Sequence, residues 1–400
     1  MIDVEKVRAQ FPALQMTDGG RPRIYLDAPG GTQVCERAIE RMVAYMRGGT
    51  ANDGGAFATS LATEALSTAA HAAMARLLGA RHGEIAFGLN MTSLTFAISR
   101  SLATRWTTGD EIVLTRLDHD ANVAPWLRLA QDRGLTVRWI DLDPESGRLR
   151  LDGLGDVLNE RTVLVAVGHA SNALGTTNDV AAIVRAAKDA NPQALVFVDA
   201  VQSVPHLPVD VSALGCDFLV ASPYKVFGPH QGVLWGREAL LAELPAYKVR
   251  PSPTQPPAVK WETGTPSYEG QAGTLGALEH LADTGGMAAI AAYERELGQR
   301  LLDGLLTVPG LRLWGPPTME SRVPTFAFTL AGVDPRTVAE QLAAVNIFVW
   351  SGSFYAVEVI DRLGLTETGG LVRVGLCHYN SAQEVDRTLE MIASIARKSR

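Results

Sequence analysis

The alternation of two kinds of segment constrains this chain most. Short apolar runs rich in β-branched residues, "GEIAFGL", "EIVLT", "TVRWIDL", "TVLVAVGHA", "ALVFVDA" and "CDFLVASP", recur in order, several separated by helical stretches such as "DVAAIVRAAKDANP". Strands that alternate with helices imply an α/β fold: a mainly parallel central sheet sandwiched by helices, whose strands are apolar on both faces. "LATEALSTAAHAAMARLLGA" reads as a helix that stops near Gly79. A proline-rich stretch, "RPSPTQPPAVKWETGTPS", then interrupts the pattern. Beyond it, "GALEHLADTGGMAAIAAYERELGQRLLDGLLTVPG" reads as helix, and "TFAFTL", "IFVW" and "LVRVGL" read as strands of a smaller α+β carboxyl-terminal domain. The expected organisation is an N-terminal segment, 1–20, packing with the small domain, a large domain, 21–270, and the small domain, 271–400.

Composition narrows the partners. Four hundred residues at 46% hydrophobic and 20% charged suffice for one large and one smaller domain. A net charge of -7 without a basic tail argues against nucleic acid and against an anionic membrane surface. "MIDVEKVRAQFPALQ" carries acids and no apolar core of a signal peptide, and no apolar run reaches membrane-spanning length, so a cytoplasmic protein is expected. Cys35, Cys216 and Cys377 are too scattered for a disulfide framework or a zinc site; buried thiols and no metal are expected.

In parallel α/β sheets, ligands collect beyond the carboxyl ends of the strands. That rule selects Thr92 and Ser93, His119 and Asn122, Asn172, Asp199 with Gln202, and Ser222 with Lys225. Lys225 is one of six lysines against thirty arginines. On an apolar segment a lysine ordinarily snorkels to water. A lysine that forms a Schiff base must shed its proton at moderate pH, and burial favours that. Asp199 ends an apolar run, where an acid is costly without a cationic partner. It is either a helix N-cap or the carboxylate that a pyridinium cofactor requires. Thr92 and Ser93 offer hydroxyls at a helix N-terminus, suited to a phosphate or to plain capping. His119 suits stacking on a planar ring, and Asn172 suits donation to a phenolate oxygen; a satisfied polar residue and a turn former are their ordinary roles.

The ordered series "MTSLT", "DHDANVAPW", "SNALGT", "VFVDAVQSVPHLPVDV", "SPYKVFGPHQG", "ETGTPS" and "VRVGLCHYN", over about 25–389, resembles the class V aminotransferase superfamily, in particular its cysteine desulfurase-like branch. The resemblance implies fold type I, pyridoxal 5'-phosphate as cofactor, an amino acid substrate, and a homodimer whose active sites are shared between subunits. Lys225 matches the Schiff-base lysine, Asp199 the acid at the pyridine nitrogen, Gln202 the amide near the phenolic oxygen and His119 the ring-stacking histidine. Thr92 and Ser222 match phosphate ligands, Asn172 the asparagine beside substrate and cofactor oxygen, and Thr265 a threonine that reaches the neighbouring subunit's phosphate. Arg373 matches the arginine that clamps the substrate α-carboxylate, a job suited to a bidentate guanidinium.

Three departures accompany the resemblance. Desulfurases carry a persulfide-forming cysteine on a loop of the small domain; the corresponding "IFVWSGSFYAVEV" has no cysteine and places Tyr355 at that position. Tyr224 stands where desulfurases have histidine, and its hydroxyl would serve the phosphate. "NDGGAFATS" replaces a histidine-bearing loop near the cofactor. Trp350, Phe354 and Tyr355 are then expected either in the core or along a pocket more aromatic than cysteine requires. The expected activity is a C–S or C–C lyase acting on an amino acid. Transamination, epimerisation, desulfuration by a thiol outside the loop, and a non-catalytic binding subunit are the alternatives.

Overall fold

The computed structural model describes residues 2–398. The strands of its main sheet are β1 Ile85–Gly88, β2 Glu111–Thr115, β3 Thr136–Ile140, β4 Thr162–Gly168, β5 Leu195–Asp199, β6 Phe218–Ala221 and β7 Gly232–Gly236. They pair in the order β1-β7-β6-β5-β4-β2-β3. β7 runs antiparallel to β1 and β6, and the other pairings are parallel. The runs show no apolar-polar alternation because both faces are covered. Val165, Val167, Val196 and Val198 fill one core, while Leu164, Ala166, Leu195 and Phe197 fill the core on the opposite face. Residues two apart share a face of a strand, so such a run needs helices on both sides.

The helices of nine residues or more are α1 Glu36–Arg47, α2 Ala58–Leu78, α3 Met91–Leu102, α4 Ala124–Arg133, α5 Val180–Ala190, α6 Tyr268–Asp283, α7 Gly286–Leu306, α8 Pro335–Ala343 and α9 Ala382–Lys398. α2 stops at Gly79, whose φ of 64 is the left-handed cap that glycine supplies at little cost. The continuous helix expected after the proline-rich stretch is two helices, α6 and α7. Gly285 and Gly286, with φ of 102 and 77, turn the chain between them. β7 was not anticipated either: "GVLWG" follows directly on a glycine/proline turn and is too short to show a period.

A second sheet follows, with β8 Leu311–Trp314, β9 Thr325–Leu330, β10 Trp350–Gly352 and β11 Leu371–Gly375 in the antiparallel order β8-β9-β11-β10. The expected strand "IFVW" divides. Ile347–Phe348 pairs in parallel with Ile24–Tyr25, and Trp350 opens β10. The N-terminal chain is thereby tied to the second sheet. Arg8 adds an ion pair to Glu384 at 2.9 Å, and Phe11 packs edge-on against Tyr379 at 4.9 Å between ring centroids. Gly375, at the end of β11, lies against Pro29; a Cβ there would collide with the proline ring, so the strand carrying Arg373 sits flush on the 28–32 loop. Ion pairs Arg116–Glu358 and Arg362–Asp141 fasten the segment after β10 to the main sheet. Among the described residues, no helix is long and apolar enough to cross a membrane.

Candidate active site

The carboxyl ends of the main strands converge on one opening. β5 ends at Asp199, β6 leads through Ser222 into the tight turn Pro223–Lys225, and β1 leads through Asn90 into α3. Between these ends and β10–β11 lies a cavity of about 730 Å³ whose floor continues into a recess of about 80 Å³. Thr92, His119, Asn172, Tyr224 and Lys225 line both spaces; Asp199, Gln202 and Ser222 line the recess; Trp350, Tyr355 and Arg373 line the outer cavity.

Lys225 does not snorkel. Its side chain is buried and Nζ donates to the Pro29 carbonyl at 2.6 Å. Burial, helped by the Arg373 charge and opposed by Asp199, brings its ammonium down to about 7. The amine is therefore available near neutrality, which an exposed lysine's is not. The same carbonyl accepts from Gln202 Nε2 at 2.8 Å, so one backbone oxygen orients two side chains of the site. Tyr224 is held by stacking on His230, with ring centroids 4.8 Å apart and planes 11° apart, and its ring centre lies 5.5 Å from Lys225 Nζ.

Asp199 is buried, accepts from the Val201 N–H at 2.9 Å, and is pushed up to about 6 by burial, with Lys225 pulling it back. A cation placed against it in the recess would relieve that cost. Asp118, also buried, accepts from the Gly168 N–H at 2.5 Å and from Asn122 Nδ2 at 3.2 Å. Burial and then Asp199 raise Asp118 well above the usual carboxylate range. His119 Nδ1 accepts from the Ala121 N–H at 3.0 Å, which leaves the ring proton on Nε2. Burial, with Lys225 and Arg373 nearby, lowers it to about 4, so a neutral imidazole stands between the two spaces.

Several polar atoms here are buried without a partner among the described residues: Ser222 Oγ, Gln202 Oε1, Asn172 Oδ1 and Arg373 Nε. Buried polar atoms are nearly always satisfied, so their convergence on one recess and its mouth is the mark of a ligand site. Arg373, on β11, donates from Nη1 to the Asn172 carbonyl at 2.9 Å and rests its guanidinium over the Phe354 ring at 4.2 Å. Burial lowers it to about 9, still a cation at neutral pH. At the rim, Trp350 and Tyr355 are 53% and 73% exposed, so they are not core residues. Phe354 and Tyr355 have φ of 58 and 57, a left-handed conformation that costs non-glycine residues about 1–2 kcal/mol each. Asn172 Nδ2 donating to the Phe354 carbonyl at 2.8 Å, and the Asp120 N–H donating to the Tyr355 carbonyl at 2.7 Å, hold that backbone in place.

Three expected residues, Ser93, Thr265 and Asn122, lie outside this cavity within one chain. Ser93 is exposed, and both its N–H and its hydroxyl bond Asn90 Oδ1, at 2.8 Å and 3.0 Å. It faces a separate cavity of about 600 Å³ that also contains Thr265. The segment bearing Thr265 is fixed by Glu262, which accepts from the Phe87 N–H and bonds His71 Nε2, each at 2.7 Å. Among the described residues, no cluster of histidine, cysteine, aspartate and glutamate is arranged to hold a metal ion.

The family model described as "Aminotransferase class-V" matches residues 24–388. The chain belongs to that family. Its relatives include the "Aminotransferase-like protein FGM3" of Gibberella zeae, 33% identical over 97% of this chain and 98% of that one. They also include a "Probable cysteine desulfurase" of Streptomyces coelicolor, 32% identical over 98% of this chain and 96% of its own. The solved apo structure of a cysteine desulfurase from Thermococcus onnurineus superimposes with a TM-score of 0.92 at 28% identity, covering 100% of this chain and 99% of that one. The class-V aminotransferases are enzymes that work with pyridoxal 5'-phosphate, and the recess fits that group. It presents a buried carboxylate for a ring nitrogen, an amine of lowered basicity for an aldehyde, and an unpartnered hydroxyl and amide oxygen for the polar substituents.

Sequence reasoning missed two contributors. The Pro29 carbonyl is a backbone atom, signalled only by the "DAPGG" turn. Asp118 directly precedes His119, just past the end of β2, and lies within reach of the strand-end rule that selects His119. Asn122, selected as a strand-end polar residue, turns inward instead: it bonds Asp118 and accepts from Trp126 Nε1 at 3.2 Å.

Proposed function

We propose that this class-V aminotransferase homologue is a pyridoxal 5'-phosphate-dependent lyase that cleaves a C–S or C–C bond in the side chain of an amino acid, without a thiol nucleophile. The observation that carries the reading is the position of the cysteines. Cys35, Cys216 and Cys377 are each wholly buried, and none lines the cavity. Burial pushes the thiols of Cys35 and Cys216 up to about 11 and about 12, and that of Cys377 well above its ordinary value. The thiolate is the nucleophilic form, so none is poised to take up sulfur. The rim residue at the desulfurase cysteine's position is Tyr355, which supplies no such group.

When bound, pyridoxal 5'-phosphate supplies an electron sink next to the substrate's α-carbon. Lys225 would hold the cofactor, Asp199 would keep its ring nitrogen protonated, and His119 would cover the ring face. Ser222, Thr92 and Tyr224 would bind its phosphate; Gln202 and Asn172 would bind its phenolic oxygen. Arg373 would orient the substrate through its α-carboxylate, for which its unpartnered Nε is free. With the substrate in place, Lys225 Nζ moves the α-proton, a step that its lowered basicity allows near pH 7. Phe354, packed on Arg373, excludes water from that contact. Thr265, remote from Lys225 within one chain, would complete the phosphate site of a second copy, which makes the homodimer part of the same proposal.

The test is product analysis of the cofactor-loaded enzyme against a panel of amino acids. A lyase releases a side-chain fragment together with a shortened amino or keto acid. Stoichiometric conversion of the cofactor to its amine form, with an intact keto acid and no fragment, would instead establish an aminotransferase.

A further inference from the structure

One polar group of the outer cavity has no role in the chemistry above. Asp120 follows His119 in "DHDAN" and lines the 730 Å³ cavity, where it is half-buried. Its backbone N–H is spent on the Tyr355 carbonyl. Its carboxylate makes no hydrogen bond or ion pair among the described residues, and burial alone acts on it. Around it stand aromatic walls: Phe96, Trp350, Phe354 and Tyr355. Arg373 and Lys225 line the same cavity and bring positive charge to it.

Resting on the amino-acid reading above, we propose that Asp120 is a specificity residue, and that the preferred substrate is an α-amino acid whose side chain ends in a cation. The chemistry matches at each end. The α-carboxylate meets Arg373, while the distal cation meets a carboxylate that accepts hydrogen bonds and donates none. Aromatic side chains, whose faces attract cations, line the same cavity. An anionic side chain would meet Asp120 with like charge, and a neutral one would leave it desolvated and unpaired. Asp120 also starts the short turn 120–122, where a carboxylate favours the helical end. That role affects folding and does not discriminate between substrates.

The experiment is a spectrophotometric titration of the cofactor-loaded enzyme with arginine, lysine, norleucine, phenylalanine and glutamate, for wild type, Asp120→Asn and Asp120→Glu. We expect the cationic amino acids to bind at least about tenfold more tightly than norleucine, the scale of a charge-assisted contact in a partly desolvated site. Asp120→Asn should collapse that ratio, and Asp120→Glu should restore part of it. Norleucine or glutamate binding to wild type as tightly as arginine would overturn the proposal while leaving an amino acid enzyme. So would an unchanged arginine-to-norleucine ratio in Asp120→Asn. A wild-type spectrum that no amino acid perturbs would overturn the underlying reading, and this inference with it.

Discussion

The recess and the rim of the cavity are built in opposite ways. Around Lys225 the groups are buried, sit on strand ends or on the turns that follow them, and are fixed by short bonds such as those to the Pro29 carbonyl. At the rim, Trp350 and Tyr355 are mostly exposed, and the backbone of Phe354 and Tyr355 is held in a left-handed conformation. Groups on a rigid sheet edge keep their geometry while loops tolerate exchange, so the proposed function assigns the shared chemistry to the recess and the distinguishing reaction to the rim. On the proposed reading, Tyr355 stands where desulfurases carry their thiol and is such an exchange.

Lys225→Ala should produce the largest effect. Turnover falls by about 10³-fold or more, and no cofactor remains covalently attached after borohydride reduction and mass analysis. The pH dependence of cofactor capture by wild type sharpens the point. Because the ammonium is lowered to about 7, about half of the lysine is free amine at pH 7, and capture should rise through that pH and level off by about pH 9. Capture that keeps rising beyond pH 9 would mean that Lys225 is not in the environment described.

Arg373→Gln should come next. We expect kcat/KM to drop by about 100-fold, mostly through KM, with the visible cofactor band retained. Arg373 lowers the Lys225 ammonium, so its removal should move the capture profile to higher pH. A loss confined to kcat would place Arg373 outside the substrate carboxylate contact.

Tyr355→Gly tests the rim and is a smaller effect. Glycine accepts a φ of 57 freely, so the variant should gain about 1 kcal/mol in chemical denaturation while substrate KM rises. Lower stability would show that the ring contributes more than the strained backbone costs.

The main sheet was legible because strands buried on both faces write continuous apolar runs, and the polar residues that end them are then conspicuous. Asp199 and Lys225 stood out for that reason. β7 escaped because five residues behind a turn carry no period, and the α6–α7 break escaped because the Gly285–Gly286 pair, a turn signal, sits inside an otherwise helical pattern. The part of the site least visible in sequence is its geometry. The Pro29 carbonyl has no letter of its own, and Asn122 and Asp118 become structural only when the 118–122 turn folds back on β4.

Thiol independence is the central claim, and turnover of a cysteine-free enzyme tests it most directly. Cys35→Ser, Cys216→Ala and Cys377→Ala, combined and loaded with pyridoxal 5'-phosphate, should cleave the substrate found in the panel within about twofold of wild type per bound cofactor, since buried thiols of raised pKa are not nucleophiles. Loss of cleavage in the loaded, folded variant, and its return when Cys377 alone is restored, would contradict the account.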